Sequence, residues 1–187
     1  MKVAWGITGS GDRLRETVKT MLKIKEMYPE VEIRVYLSKA GRQVVLYYKL
    51  MDLLKENFKV WVEVNSNSPF LAGMLQMRKF EFLLIAPATS NTVAKLAVGI
   101  ADTLLTNSAI MALKAFVPVY IMPSDYKEGI VETELPDGRK IKIRVRKEDA
   151  ENVQKLSKMD GIFILEKPED IFGVFEKHFG KRQSFQN

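Results

Sequence analysis

Few side chains in this sequence can carry chemistry, and that scarcity is the first constraint. The 187-residue chain has no cysteine and a single histidine, His178. Disulfides, zinc–cysteine sites, iron–sulfur ligation and thiol nucleophiles are excluded, as is any multi-histidine metal centre. A Ser-His-Asp triad would require His178 itself in the pocket. Flanked by Lys177 and Phe179 in the last predicted helix, it reads instead as a helix-end histidine that favours the dipole. What remains is hydroxyls, amides and backbone N–H groups, or a borrowed cofactor that brings the reactivity with it.

Three stretches place such groups where a ligand can use them. Gly9-Ser10-Gly11 follows the first apolar run and precedes a helix-compatible segment. Glycines let backbone approach an anion, and a helix start supplies N–H donors. A bare tight turn uses the same residues. The full dinucleotide pattern needs a third glycine at position 14, where Leu14 stands, and there is no Walker lysine. Ser38-Lys39-Ala40-Gly41 repeats the logic after the second strand, with Ser38 suited to cap a helix or to bond a phosphate. Thr89-Ser90-Asn91-Thr92 then follows Pro87-Ala88. One such residue suffices for a cap, so four in a row point to a ligand bonded along its polar edge.

The elements that must position these turns can be read from periodicity and breakers. Strands are expected at 2–8, 31–37, 59–64, 80–86, 117–122 and 161–165. Helices are expected at about 12–28, 39–57, 70–78, 89–100, 103–114 and 148–158, with a last one from Pro168 to about His178. Pro87 is expected to stop the fourth strand. Alternation on both sides of Pro136-Asp137-Gly138 predicts a β-hairpin within about 130–146. Strands alternating with helices predict a three-layer α/β/α, doubly wound parallel sheet of about six strands, with the hairpin inserted after the fifth. The organisation expected is one domain over 1–180 and a polar tail over 181–187.

Charge narrows the function classes. The net charge of +6 invites a nucleic-acid reading, but the excess falls before Ser124 and is dispersed. Arg13, Arg15, Lys19 and Lys23 read as a solvated helix face, and no nucleic-acid partner is expected. Between Leu83 and Pro123 the only charges are Lys95, Asp102 and Lys114, so the helix pair in that segment is deeply buried or forms a subunit interface. No apolar stretch reaches the ~18 residues that span a bilayer and no signal-peptide pattern opens the chain, so the expected location is cytoplasmic.

The middle segment carries a resemblance. Pro87-Ala88-Thr89-Ser90-Asn91-Thr92, continued by Lys95, Gly99-Ile100-Ala101-Asp102 and Leu104-Leu105-Thr106, resembles the signature of the homo-oligomeric flavin-containing cysteine decarboxylase superfamily. The likeness extends over Met1 to Pro123. It implies an FMN site made of Gly9, Ser10, Gly11, Ser38, Thr89, Ser90, Asn91, Thr92 and Ser124, near a subunit boundary of a homo-oligomer. Two features depart from that family. Ala72-Gly73-Met74 stands where it carries a histidine base, and Pro123-Ser124-Asp125-Tyr126 where it has P-A-M-N. The Arg-Glu pair of the prenyl-transferring branch is absent near Ser124. The opening Val3–Gly9 run, Val117–Pro123 and Leu135-Pro136-Asp137-Gly138 are similar to a narrower group of archaeal flavoproteins, which includes dihydromethanopterin reductases and ferredoxin-linked carriers. That likeness implies an FMN-dependent oxidoreductase with a reduced-pterin substrate or a ferredoxin-like electron donor; the catalytic residues stay unassigned. The alternatives are a non-enzymatic homo-oligomeric binding protein and a flavin-dependent decarboxylase-like enzyme with altered catalytic residues.

Overall fold

Short apolar runs rich in β-branched and aromatic residues form the sheet, because strands covered by helices on both faces must be apolar throughout. The computed structural model describes Met1–Gly180. Its parallel strands are β1 (Lys2–Ile7), β2 (Glu32–Leu37), β3 (Lys59–Val62), β4 (Leu83–Ala88), β5 (Val119–Pro123) and β8 (Ile162–Ile164), in the spatial order β3-β2-β1-β4-β5-β8. β4 and β5 are buried at every position. β6 (Gly129–Glu134) and β7 (Lys140–Val145) form a separate antiparallel hairpin, as the turn residues predict.

Helices cover both faces and split the core in two. On one face α1 (Leu14–Met27), α2 (Lys39–Tyr47), α3 (Met51–Asn57) and α8 (Asp170–Phe179) pack on Val3, Trp5 and Ile7 through residues such as Val18, Val45, Leu54 and Phe175. On the other, α4 (Leu71–Gln76), α5 (Ser90–Val98), α6 (Leu104–Lys114) and α7 (Lys147–Ser157) pack on Ala4, Leu83 and Ile85 through Leu75, Leu96, Leu105 and Leu156. This is the three-layer α/β/α fold.

Two local expectations need correction. The single helix expected over 39–57 is two helices, broken at Tyr48-Lys49-Leu50 with Lys49 at φ 56°. Tyr48, Leu50 and Met51 are all buried, which one straight helix cannot arrange because residues two apart lie on different faces. Pro87 does not end β4; the strand runs on to Ala88 with a register shift between Ile85 and Ala88. A bulge tolerates proline because its missing N–H belongs to no regular ladder bond there. The polar tail expected at 181–187 lies outside the described residues.

Candidate functional site

In open α/β sheets ligands settle at the carboxyl ends of the strands, where the strand order reverses. Here that point lies between β1 and β4: β2 and β3 follow on one side of the pair, β5 and β8 on the other. Gly9 leaves β1 at this crevice, Thr89 leaves β4 and Ser124 leaves β5.

Hydrogen bonds stitch the three strand ends together. Thr8, 3% exposed, donates its hydroxyl to the Pro87 carbonyl at 2.9 Å, and its Oγ1 accepts from the Thr89 N–H at 2.8 Å. The Ser124 N–H donates to the Ala88 carbonyl at 2.9 Å, and the Ser124 hydroxyl donates to Ser10 Oγ at 2.6 Å. Thr8 thus fixes the spacing of the two turns on either side of the crevice, a role no motif signals.

The Gly9–Gly11 turn is tightly seated. A Cβ on Gly9 would come within 2.6 Å of Ala40 Cβ, and one on Gly11 would strike the Tyr48 hydroxyl. Among the described residues, the N–H groups of Gly9, Ser10 and Gly11 have no protein acceptor, nor do those of Ser90 and Asn91 in the first turn of α5. Thr89 caps α5 through its side chain, which accepts from the Thr92 N–H. A helix start of this kind favours negative charge or carbonyl oxygens.

Two adjoining cavities of about 250 Å³ and 290 Å³ open over these turns. Gly9, Ser10, Gly11, Thr89, Ser90 and Ser124 line them, joined by Asp12, Asp125 and Tyr48. Ser38, Asn91 and Thr92 do not. Ser38 caps α2 by accepting from the Gly41 N–H at 2.9 Å, Asn91 is exposed, and Thr92 is buried against Thr89 with 3.0 Å between hydroxyls. The capping role therefore accounts for Ser38. Lys95 is paired to Asp102 at 2.7 Å.

The far wall comes from the hairpin, through Val131, Thr133, Glu134 and Ile143. Tyr48 ties it down, its hydroxyl donating to the Glu134 carbonyl at 2.6 Å. The kink between α2 and α3 is what brings Tyr48 there. A long-range loop contact of this sort leaves no trace in local periodicity, so the hairpin wall is not legible in the sequence, and Tyr48, a candidate ring-stacking residue, reads there as core.

Charge at the mouth is mixed: Arg13, Arg15 and Lys140 face Glu16, Glu132 and Glu134. Deeper in, two carboxyls sit in low dielectric. Burial pushes Asp12 above the ordinary carboxylate range against the pull of Arg13, and burial with help from Asp149 pushes Asp125 up as well. His178 is elsewhere; its Nε2 lies 2.9 Å from the Tyr120 hydroxyl, with the ring packed against Phe82, and burial lowers its pKa. Among the described residues no cluster of His, Cys, Asp and Glu is arranged to hold a metal, and no helix is long and apolar enough to cross a membrane.

Comparison with known proteins agrees with this architecture. The chain is 52% identical over 179 residues to an uncharacterised protein of Methanocaldococcus jannaschii, covering 95% of this chain and 96% of the relative. It is 31% identical over 235 residues to the dihydromethanopterin reductase (acceptor) of the same organism, covering 94% and 96%. Its fold superposes with a TM-score of 0.79 on DmrB of Burkholderia xenovorans in complex with FMN, described as a cubic protein cage for redox transfer, at 31% identity over 94% of this chain and 93% of that one. The family model for Flavoprotein matches residues 1–187. The chain belongs to the Flavoprotein family.

Proposed function

We propose that this protein binds FMN in the crevice between β1 and β4 and works as an FMN-dependent oxidoreductase, reducing a dihydropterin-like C=N bond. The observation that carries the reading is the pair of turns with unpaired N–H groups, Gly9–Gly11 and Ser90–Asn91, held on opposite sides of the switch point by Thr8. The residues fit the cofactor: the glycine turn has no room for side chains and offers donors to an anionic phosphate. Bound FMN supplies hydride or single-electron chemistry, which the chain's own side chains cannot.

The protein's part is binding, orientation and exclusion of water. Ser10 and Ser124 hold each other, so the hydroxyls reach a ligand as one preset pair. The α5 start offers Ser90 and Asn91 N–H groups to a polar ring edge. The hairpin shields the opposite side, with Val131 and Ile143 as its apolar surface. Support for the substrate class comes from the reductase relatives, and support for a homo-oligomer from the caged neighbour. A ferredoxin-like protein is the electron donor this scheme needs.

The purified protein should show flavin bands near ~370 and ~450 nm or acquire them with FMN. No bands and no quenching of FMN fluorescence on titration would overturn the proposal. With FMN bound, turnover of a dihydropterin separates a reductase from a carrier that exchanges electrons with ferredoxin alone.

A further inference from the structure

Addition of hydride to the carbon of a C=N bond leaves an electron pair on nitrogen, and the product forms only when a proton arrives there. This chain offers few sources of one. It has no cysteine, and its one histidine is bonded to Tyr120 outside the cavities. Tyr48 already donates its hydroxyl to Glu134. Glu132 and Glu134 are exposed on the hairpin. Two carboxyls remain on the inner wall, Asp12 and Asp125.

Their surroundings differ. Asp12 follows the Gly9–Gly11 turn and has Arg13 beside it, with 3.9 Å between Nε and Oδ2. That guanidinium pulls against the burial that raises Asp12 and gives it an ion-pair partner of its own. Asp125 follows β5, beside the α5 start, where Ser90 lines the same cavity and its side chain favours the carboxylate. The cation that acts on it is Arg146, and that guanidinium is engaged by Asp149 through two hydrogen bonds of 2.8 and 2.7 Å. Asp125 is thus a half-buried acid on the cavity wall whose cation is already engaged elsewhere.

Resting on the reductase reading above, we propose that Asp125 is the proton donor of the site. Two electrons and one hydrogen leave the reduced cofactor as hydride and reduce the carbon of the C=N bond. The Asp125 O–H bond breaks as an N–H bond forms on the nitrogen, and the carboxylate left behind is reprotonated from solvent. The cofactor is oxidised by two electrons and the substrate gains two hydrogens, so the step balances. The groups that set Asp125's titration are Ser90 on α5 and Arg146 with Asp149 at the start of α7, and Asp125 in turn raises Asp12 after β1. Burial and Asp149 favour its protonated form, Ser90 and Arg146 oppose it, and the first pair prevails.

The test compares wild type, Asp125→Asn and Asp125→Glu as FMN-loaded protein. Asn is close in size and shape but holds no acidic proton. In Asp125→Asn, dihydropterin reduction should fall about a hundredfold or more, the loss typical of a removed general acid. Rates are compared per bound flavin, and oxidation by ferricyanide, which needs no proton donor, should fall far less than dihydropterin reduction. Asp125→Glu should restore part of the rate. The wild-type rate should decline as pH rises through the titration of Asp125, and that decline should vanish in Asp125→Asn. NMR of protein labelled with 13C-aspartate should show two carboxyls titrating above the ordinary aspartate range, and the one missing from Asp125→Asn is assigned to Asp125. A wild-type rate and pH profile in Asp125→Asn, or no raised carboxyl that disappears in that variant, would overturn the proton role alone. Wild type that loads FMN and reduces ferricyanide but never the dihydropterin would overturn the reductase reading, and the proton role with it.

Discussion

Gly11 shows how much of the site depends on an atom that is missing. Its lack of a Cβ makes room for the Tyr48 hydroxyl, which reaches past it to the Glu134 carbonyl. In Gly11→Ala the methyl group and that hydroxyl cannot coexist, so Tyr48 must swing away and release the hairpin. We expect normal folding but weaker FMN retention, read as a faster loss of flavin on gel filtration. Ser10→Ala removes the acceptor of the Ser124 hydroxyl. A neutral hydrogen bond contributes about 1 kcal/mol net, and its loss should lower FMN affinity several-fold; unchanged affinity in both variants would place the cofactor elsewhere. The glycine turn and the Thr89–Thr92 run of hydroxyls and an amide were visible in the sequence because close backbone approach and helix starts demand particular residue types. Thr8 and Tyr48 were not, since a buried threonine and a helical tyrosine look like ordinary core. Asp125 was visible only as a departure from a family pattern, and its importance depends on a cavity wall that the sequence does not display.

At the scale of elements, the hairpin is the part least committed to the core. Apart from Val145 its residues are exposed or half-buried, and Ile130 is 76% exposed. Tyr48→Phe keeps the ring, including the contact with the Arg15 guanidinium 5.3 Å from its centroid, and deletes only the tie to Glu134. Loss of about 1 kcal/mol should raise the open population about fivefold. Limited trypsin cleavage at Arg139, Lys140, Lys142 or Arg144 reports it directly, and bound FMN should slow cutting in wild type more than in the variant. An equal cutting rate in both proteins would show that Tyr48 is no latch. The edge of the sheet has its own device. Glu32 on β2 accepts from Arg34 at 3.0 Å and from Lys59 of β3 at 2.8 Å, and these bonds lower its pKa to about 2. Because the folded value lies below the unfolded one, the stabilisation is present in full above about pH 4.5 and is lost as pH falls towards 2. The melting temperature of Glu32→Gln should therefore lie below that of wild type at neutral pH and converge with it in acid. Strand positions and the hairpin followed from alternation and turn residues. The broken helix did not, because its break is imposed by burying Tyr48, Leu50 and Met51 together.

The whole molecule carries an apolar surface that a lone chain has no use for. Phe116 is 81% exposed, Phe70 64% and Met77 55%, and Val98 at the end of α5 and Ile100 just after it are exposed too. Arg78 lies with its guanidinium 5.8 Å from the Phe116 ring centroid and donates Nε–H to the Ala115 carbonyl at 2.8 Å. The sparsely charged segment from Leu83 to Pro123 anticipated either deep burial or an interface, and the fold divides it between the two. Leu104, Leu105, Ala109 and Ala112 face the core, while Phe116 and Val98 are left outside. Exposed apolar side chains that gather into a patch mark association sites, and a homo-oligomer is part of the function proposed above. Phe116 sits at φ 59°, a conformation costly for an aromatic residue and one that asparagine adopts more readily. Phe116→Asn should therefore leave the chain as stable as before or slightly more so, while removing the apolar contact. Sedimentation velocity should show wild type as an oligomer and the variant shifted to smaller species, with its unfolding transition unmoved when both are compared as monomers. A variant that sediments like wild type would remove Phe116 from the interface. If FMN dissociates more easily from the smaller species at equal protein concentration, the flavin site and the subunit contact are coupled, and the exposed aromatic is retained for the cofactor.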